Sequence, residues 1–109
     1  MGSLKQHNSL VELLAKDLRQ VYPDCDIISF YVLKEGKKQV GETDIFLETE
    51  TDIHLFEIKS GRYTQKRKQK AFRQLEKFAR KLHPYKPTLL YYVFPLGESF
   101  HAYMREWSG

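Results

Sequence analysis

The chain of 109 residues carries 18 Lys and Arg against 14 Asp and Glu, a formal net charge of +4, with 41% hydrophobic and 14% aromatic residues. That is enough apolar matter for a single domain over residues 1–109 with one core of modest depth, and too little chain for two. The composition excludes disorder, collagen and low-complexity sequence. No apolar run approaches the roughly 18–20 residues needed to cross a bilayer, and no apolar leader opens the chain, so an intracellular protein that does not engage a membrane is expected.

In chain order, Asn8 to Tyr22 reads as an amphipathic helix, with Leu10, Leu13, Leu14, Leu18 and Val21 on a helical stripe and Pro23 ending it. Ile27 to Leu33, IISFYVL, is a strand by its β-branched and aromatic content, and EGKK at 35–38 is a hairpin turn. Gln39 to Leu47 returns as a second strand, Thr49 to Asp52 turns again, and Ile53 to Lys59 makes a third. Ser60-Gly61 breaks the pattern. Gln65 to Leu82 then has Ala71, Phe72, Leu75, Phe78, Ala79 and Leu82 at helical spacing and ends before Pro84. Thr88 to Phe94, TLLYYVF, is an almost unbroken apolar strand of the kind buried on both faces. The tail from Glu98 to Trp107 suits either a short helix or a strand. The order α-β-β-β-α-β predicts an α/β fold, a mixed sheet flanked by helices with its core over about residues 8–94.

Charge is distributed unevenly. From Arg62 to Lys86 there are ten bases and one acid, Glu76, while the rest of the chain holds eight bases and thirteen acids. A basic segment beside an acidic one fits a polyanion held by one element and a cation held by the other. A well-solvated helix face would have the same composition. Cys25 is the only cysteine, which excludes an internal disulfide and a cysteine-cluster metal site.

The acids on the second and third strands need a reason, because Asp44 sits beside Ile45, and Glu57 between Phe56 and Ile58. Side chains alternate on a strand, so Glu42, Asp44 and Phe46 share one face and Leu55, Glu57 and Lys59 share another. If Thr49 to Asp52 is the connecting loop, Glu48 pairs with Ile53, Asp44 lies across from Glu57, and Glu42 across from Lys59. Directly opposed carboxylates, with Cβ atoms about 4.5–5.5 Å apart, repel each other unless a cation lies between them. Hard oxygen ligands with room for water and phosphate suit Mg²⁺ or Mn²⁺. A lysine ammonium nearby can hold an attacking water or stabilise charge developing on a phosphate. Asp44, Glu57 and Lys59 therefore compose a site for phosphodiester hydrolysis. The plainer alternative is a solvated strand edge with a Glu42–Lys59 cross-strand pair.

These residues resemble the PD-(D/E)XK nuclease superfamily, which includes Holliday-junction resolvases, restriction endonucleases, RecB-like nucleases and small viral replication-and-repair nucleases. Gly41-Glu42-Thr43-Asp44 is similar to the strand that carries the superfamily's metal-binding Asp, with Thr43 at the position of the eponymous Pro, and Glu57-Ile58-Lys59 to its E-x-K. The resemblance covers about Asn8 to Phe94. It implies a minimal restriction-endonuclease-like core, metal binding by Asp44, Glu57 and the main-chain carbonyl of Ile58, and a catalytic role for Lys59. It also makes Glu12 on the first helix a candidate additional acid, although Ser9-Leu10-Val11-Glu12 reads equally well as a capping box. Gln74 and Phe78 resemble a Q-x-x-x-Y helix motif with Phe in place of Tyr, against the reading of Gln74 as an ordinary surface residue.

Arg62, Lys66, Arg67, Lys68, Lys70 and Arg73 are candidates for neutralising DNA phosphates, contacts that add affinity without reading bases. Tyr63 either joins them or packs locally. His7, His54, His83 and His101 lack zinc-ligand spacing and have no companion for a nucleophilic triad, so a structural place is expected for each. The expectation is a metal-dependent endodeoxyribonuclease that selects DNA by structure, a Holliday-junction-resolvase-like enzyme with branched or duplex DNA as its partner, working as a homodimer because two cuts need two sites. Two alternatives stand beside it. One is a flap, end or single-strand nuclease of the viral replication-repair or RecB-like type; the other is a nucleic-acid-binding module that kept the fold without turnover.

Overall fold

The computed structural model describes residues 4–108. The chain forms α1 (Leu4–Val21), β1 (Asp26–Glu35), β2 (Lys38–Glu48), β3 (Ile53–Ile58), α2 (Gln65–Leu82), β4 (Thr88–Leu96) and β5 (Ser99–Trp107). The five strands make one mixed sheet in chain order, β3 and β4 running parallel through the α2 crossover and the other neighbours antiparallel. The fold is α/β with a helix on each face, and no helix among the described residues is long and apolar enough to cross a membrane. The ambiguous tail is a strand, for a physical reason: Leu90, Tyr92, Val93 and Phe94 of β4 are buried, and a strand apolar on both faces is poorly placed at a sheet edge.

Each helix seals one layer of the core. On one face Phe72, Leu75, Phe78 and Ala79 of α2 pack with Phe46, Leu55, Leu90 and Tyr92. On the other, Val11 and Ala15 of α1 pack with Ile45, Leu47, Phe56, Ile58 and Val93. α2 has the expected bounds because its ends carry their own signals. Thr64 accepts the Arg67 amide at 3.1 Å as N-cap, and His83 closes the other end in a left-handed conformation.

α1 departs from the sequence expectation. It is already helical at Leu4, so Ser9 and Glu12 lie inside it and cannot form a helix-start capping box. Its buried stripe is Val11 and Ala15, while Leu13 is 51% and Val21 68% exposed. Leu10, Leu14 and Leu18 of the expected stripe do pack against this cluster, whose centre is turned toward Val11 and Ala15 and away from Leu13 and Val21.

The β1–β2 ribbon changes face partway along. On a regular strand Ile27, Ser29 and Tyr31 would share a side, yet Ile27 packs with the α1 cluster, whereas Tyr31 and Leu33 pack with the α2 cluster. The switch falls at Phe30, whose φ of 55° lies in the left-handed region. A bulky L residue adopts that conformation at a cost of about 1–3 kcal/mol. β2 switches at the same level: Ile45 and Leu47 face α1, whereas a Cβ on Gly41 would come within 3.2 Å of the Phe78 ring of α2. Phe30 lies between the pairs Ser29–Ile45 and Tyr31–Thr43, opposite Asp44.

Candidate functional site

The β2–β3 register is the expected one, with Glu48 paired to Ile53, but the ladder ends at Ile45–Phe56. Asp44 and Glu57 are thus the first residues past the point where the strands part. The Ile58 amide donates instead to the Asp44 carboxylate, 2.7 Å to Oδ2. A side chain has taken over a bond that a continuing ladder would have given to backbone, and this holds Asp44 at the fork.

Around that fork the two helices contribute one polar side chain each. His7 of α1 brings Nε2 to 3.2 Å from Asp44 Oδ2 and 3.0 Å from the Ile58 carbonyl oxygen. Gln74 of α2 accepts a hydrogen bond from Lys59 Nζ at 3.1 Å, and Lys59 also donates to Glu57 Oε2 at 3.2 Å. Asp44, Glu57, Gln74 and Lys77 line an open cleft of about 210 Å3, together with Gly41 and Glu42. That is below the roughly 300–1,000 Å3 of a pocket for a drug-sized ligand and suits a single charged group on a larger partner.

Glu57 is nearly enclosed, its side chain 13% exposed. Burial first, and then the negative charge of Asp44, push its carboxyl up to about 7, against the opposing pull of Lys59 and His7. The like-charge conflict anticipated from the sequence is therefore present at Glu57, second to the effect of burial.

The fold brings Asp44, Glu57, the Ile58 carbonyl, Lys59 and Gln74 together. It does not bring Glu12, which is exposed on α1 beside buried Val11. The Glu42–Lys59 pair does not form either: Glu42 accepts from Gln39 at 3.4 Å, because past the fork β2 no longer runs beside β3. Of the basic candidates, Arg62, Lys66, Lys70 and Arg73 are exposed. Arg67 turns back to donate to the Arg62 carbonyl at 2.9 Å, over Gly61, and Lys68 lies 4.3 Å above the Tyr103 ring. Tyr63 packs locally against Tyr103 and Phe94, its hydroxyl donating to Gln65.

His7 is the residue the sequence reading misses. Nothing in its spacing to the other histidines marks it; the available signal is its position four residues before Val11, on the face of α1 that meets the sheet. Lys77 belongs to the basic side of α2, and only the packing reveals that it lines the cleft. Among the described residues no three His, Cys, Asp or Glu side chains converge as a metal-holding group, since Glu57 is turned to Lys59 and the third partner of Asp44 and His7 is a backbone carbonyl. No protein-family model matches this chain, and no curated protein matches its sequence.

Proposed function

We propose that this protein is a divalent-metal-dependent nuclease of the PD-(D/E)XK type, hydrolysing phosphodiester bonds in duplex or branched DNA. The observation that carries the reading is the fork itself. Two carboxylates, the Ile58 carbonyl and a lysine ammonium lie at one parting of strands, beside a cleft whose other wall carries Gln74 and Lys77.

The donor set fits a hard divalent cation. Glu57 holds its proton up to about 7 because burial and Asp44 oppose its charge, a conflict that a bound cation removes. His7 Nε2 lies within 3.2 Å of both Asp44 Oδ2 and the Ile58 oxygen, so a nitrogen and two oxygens of the kind a divalent cation takes are gathered at one point. Asp44, Glu57 and the Ile58 carbonyl would hold Mg²⁺ or Mn²⁺, with His7 as a further donor. When bound, the ion supplies Lewis-acid stabilisation of charge developing on the phosphate.

The chain's own groups supply the remainder. Lys59, fixed between Glu57 and Gln74, presents an ammonium that can orient an attacking water or neutralise the phosphate's developing charge. Gln74 acts through Lys59 as a positioning residue. Lys77, on the opposite wall, attracts the phosphate. A symmetric dimer would provide two such sites for paired cuts, a point checked by light scattering in solution.

A second reading, a binding module without turnover, is favoured by one observation: Asp44 and Glu57 each already have protein partners. Labelled four-way junction, flap, linear duplex and single-stranded DNA, incubated with Mg²⁺, Mn²⁺ or EDTA, separate the two. Metal-dependent cutting that Asp44→Ala and Lys59→Ala both abolish supports the nuclease, and the preferred substrate distinguishes resolvase from flap or end nuclease. Binding without cutting supports the module.

A further inference from the structure

Past the fork, β1 and β2 continue without a third strand. β2 pairs with β3 only from Ile45 to Glu48, so residues 38–44 of β2 and 30–35 of β1 form a two-stranded arm. The six steps from Asp44 to Lys38 reach about 20 Å at ~3.4 Å per residue. A lone two-stranded hairpin is marginal in water, and this one is held by its inner side. Tyr31 packs on Phe46 and Phe78, with ring centroids 4.9 and 6.0 Å apart, and Gly41 lets the Phe78 ring approach the backbone.

The arm is also aimed. The left-handed Phe30 reverses the ribbon's faces at the level of Asp44, and a second irregularity follows, where Leu33 pairs with Gly41 but Lys34 with Gln39, leaving Val40 extra. Phe30 is 42% exposed, so burial of its own side chain repays little of the backbone strain. The strain persists because it turns the arm toward α2. The cleft lies where the two meet, with Val40, Gly41 and Glu42 of the arm facing Gln74 and Lys77 of α2.

The arm's outer end is a cluster of exposed cations. Lys34, Lys37 and Lys38 surround the turn at Gly36, with Glu35 as the one acid among them, and none of the three lysines enters an ion pair in the described structure. Basic side chains therefore stand at the arm's tip as well as along α2, with the carboxylates at the base between the two elements.

We propose that the β1–β2 arm is a nucleic-acid-gripping element, Lys34, Lys37 and Lys38 holding duplex phosphates on one side of the cleft while α2 holds those on the other. The inference rests on the nucleic-acid reading above, and names the surface that reading lacked: the sequence pointed only to the segment after β3. One strand's phosphates recur about every 3.4 Å of duplex axis, so an arm of this reach laid along the axis extends the footprint by about six base pairs beyond the site.

The test is binding, measured without turnover. Fluorescence anisotropy of a labelled linear duplex in EDTA across a salt series would compare wild type, the triple variant Lys34→Gln/Lys37→Gln/Lys38→Gln, and a control, Lys16→Gln/Arg19→Gln, on the exposed side of α1. Each lost phosphate contact lowers the slope of log K against log salt by about 0.9. The triple variant should lose about 2–3 from that slope and bind at least ~10-fold more weakly at moderate salt, with the control unchanged and all three melting alike. A triple variant that binds as wild type does, or a control that weakens as much, overturns the arm's role while leaving the nucleic-acid reading intact. Wild type that fails to bind any duplex overturns both.

Discussion

Glu57 occupies a place that disfavours its own charge. Its carboxyl rises from an ordinary 4.5 to about 7, through burial and then Asp44. Between those values the folded chain keeps a proton that the unfolded chain has lost, so stability falls as pH rises through that window, and the loss is complete above about 7. Glu57→Gln removes the penalty. In EDTA near pH 8 the variant should melt roughly 5 °C or more above wild type, and the two should converge near pH 5, as read by circular dichroism. Phe30 holds a different strain, in its backbone. Glycine accepts a φ of 55° without cost and a β-branched residue resists it. Phe30→Val should therefore lower the melting temperature by several degrees more than Phe30→Gly, although valine retains more apolar surface.

At the level of elements, α2 links fold and site. Its apolar stripe of Phe72, Leu75, Phe78 and Ala79 covers the sheet, while Gln74 and Lys77, on the adjoining face, line the cleft. The register of that helix is set by its caps, so the cap has a functional consequence as well as a stabilising one. Thr64→Ala removes the acceptor of the Arg67 amide and should cost about 1 kcal/mol in urea unfolding. β3 is the complementary case. β4 holds it by backbone bonds up to Ile58, and Lys59 N still donates to the Val93 carbonyl at 2.9 Å. The edge toward β4 therefore stays zipped while the edge toward β2 opens. That one-sided opening frees Glu57 and the Ile58 carbonyl from the β2 ladder without loosening the strand that carries them.

At the scale of the whole molecule, the site is where two strands, two helices and a projecting arm meet, so a ligand there should tighten them together. Mg²⁺ or Mn²⁺ at concentrations well above its dissociation constant should raise the melting temperature of wild type, by about 2.7 kcal/mol of stability at a hundredfold excess. Asp44→Ala should abolish that shift and His7→Ala reduce it; equal shifts in all three would remove the metal site proposed here. Much of this was legible in the chain. Alternating and helical apolar patterns gave every element from Ile27 to Phe94 within a few residues, and the four-residue turn at Thr49 to Asp52 fixed the β2–β3 register, because those signals are local and each residue reports its own burial. The start of α1, the fate of the tail, the reversal at Phe30 and the arrival of His7 beside Asp44 were not legible in that way. Each depends on which surface a segment meets: His7 reaches Ile58 across fifty-one positions of sequence, and Phe30 turns because Tyr31 and Leu33 find their burial on α2. The sequence by itself determined which strands would carry Asp44, Glu57 and Lys59, and that these would lie near one another. Only the tertiary structure decided that the strands part at Asp44, because parting is a competition between backbone pairing and the contacts that two distant helices offer.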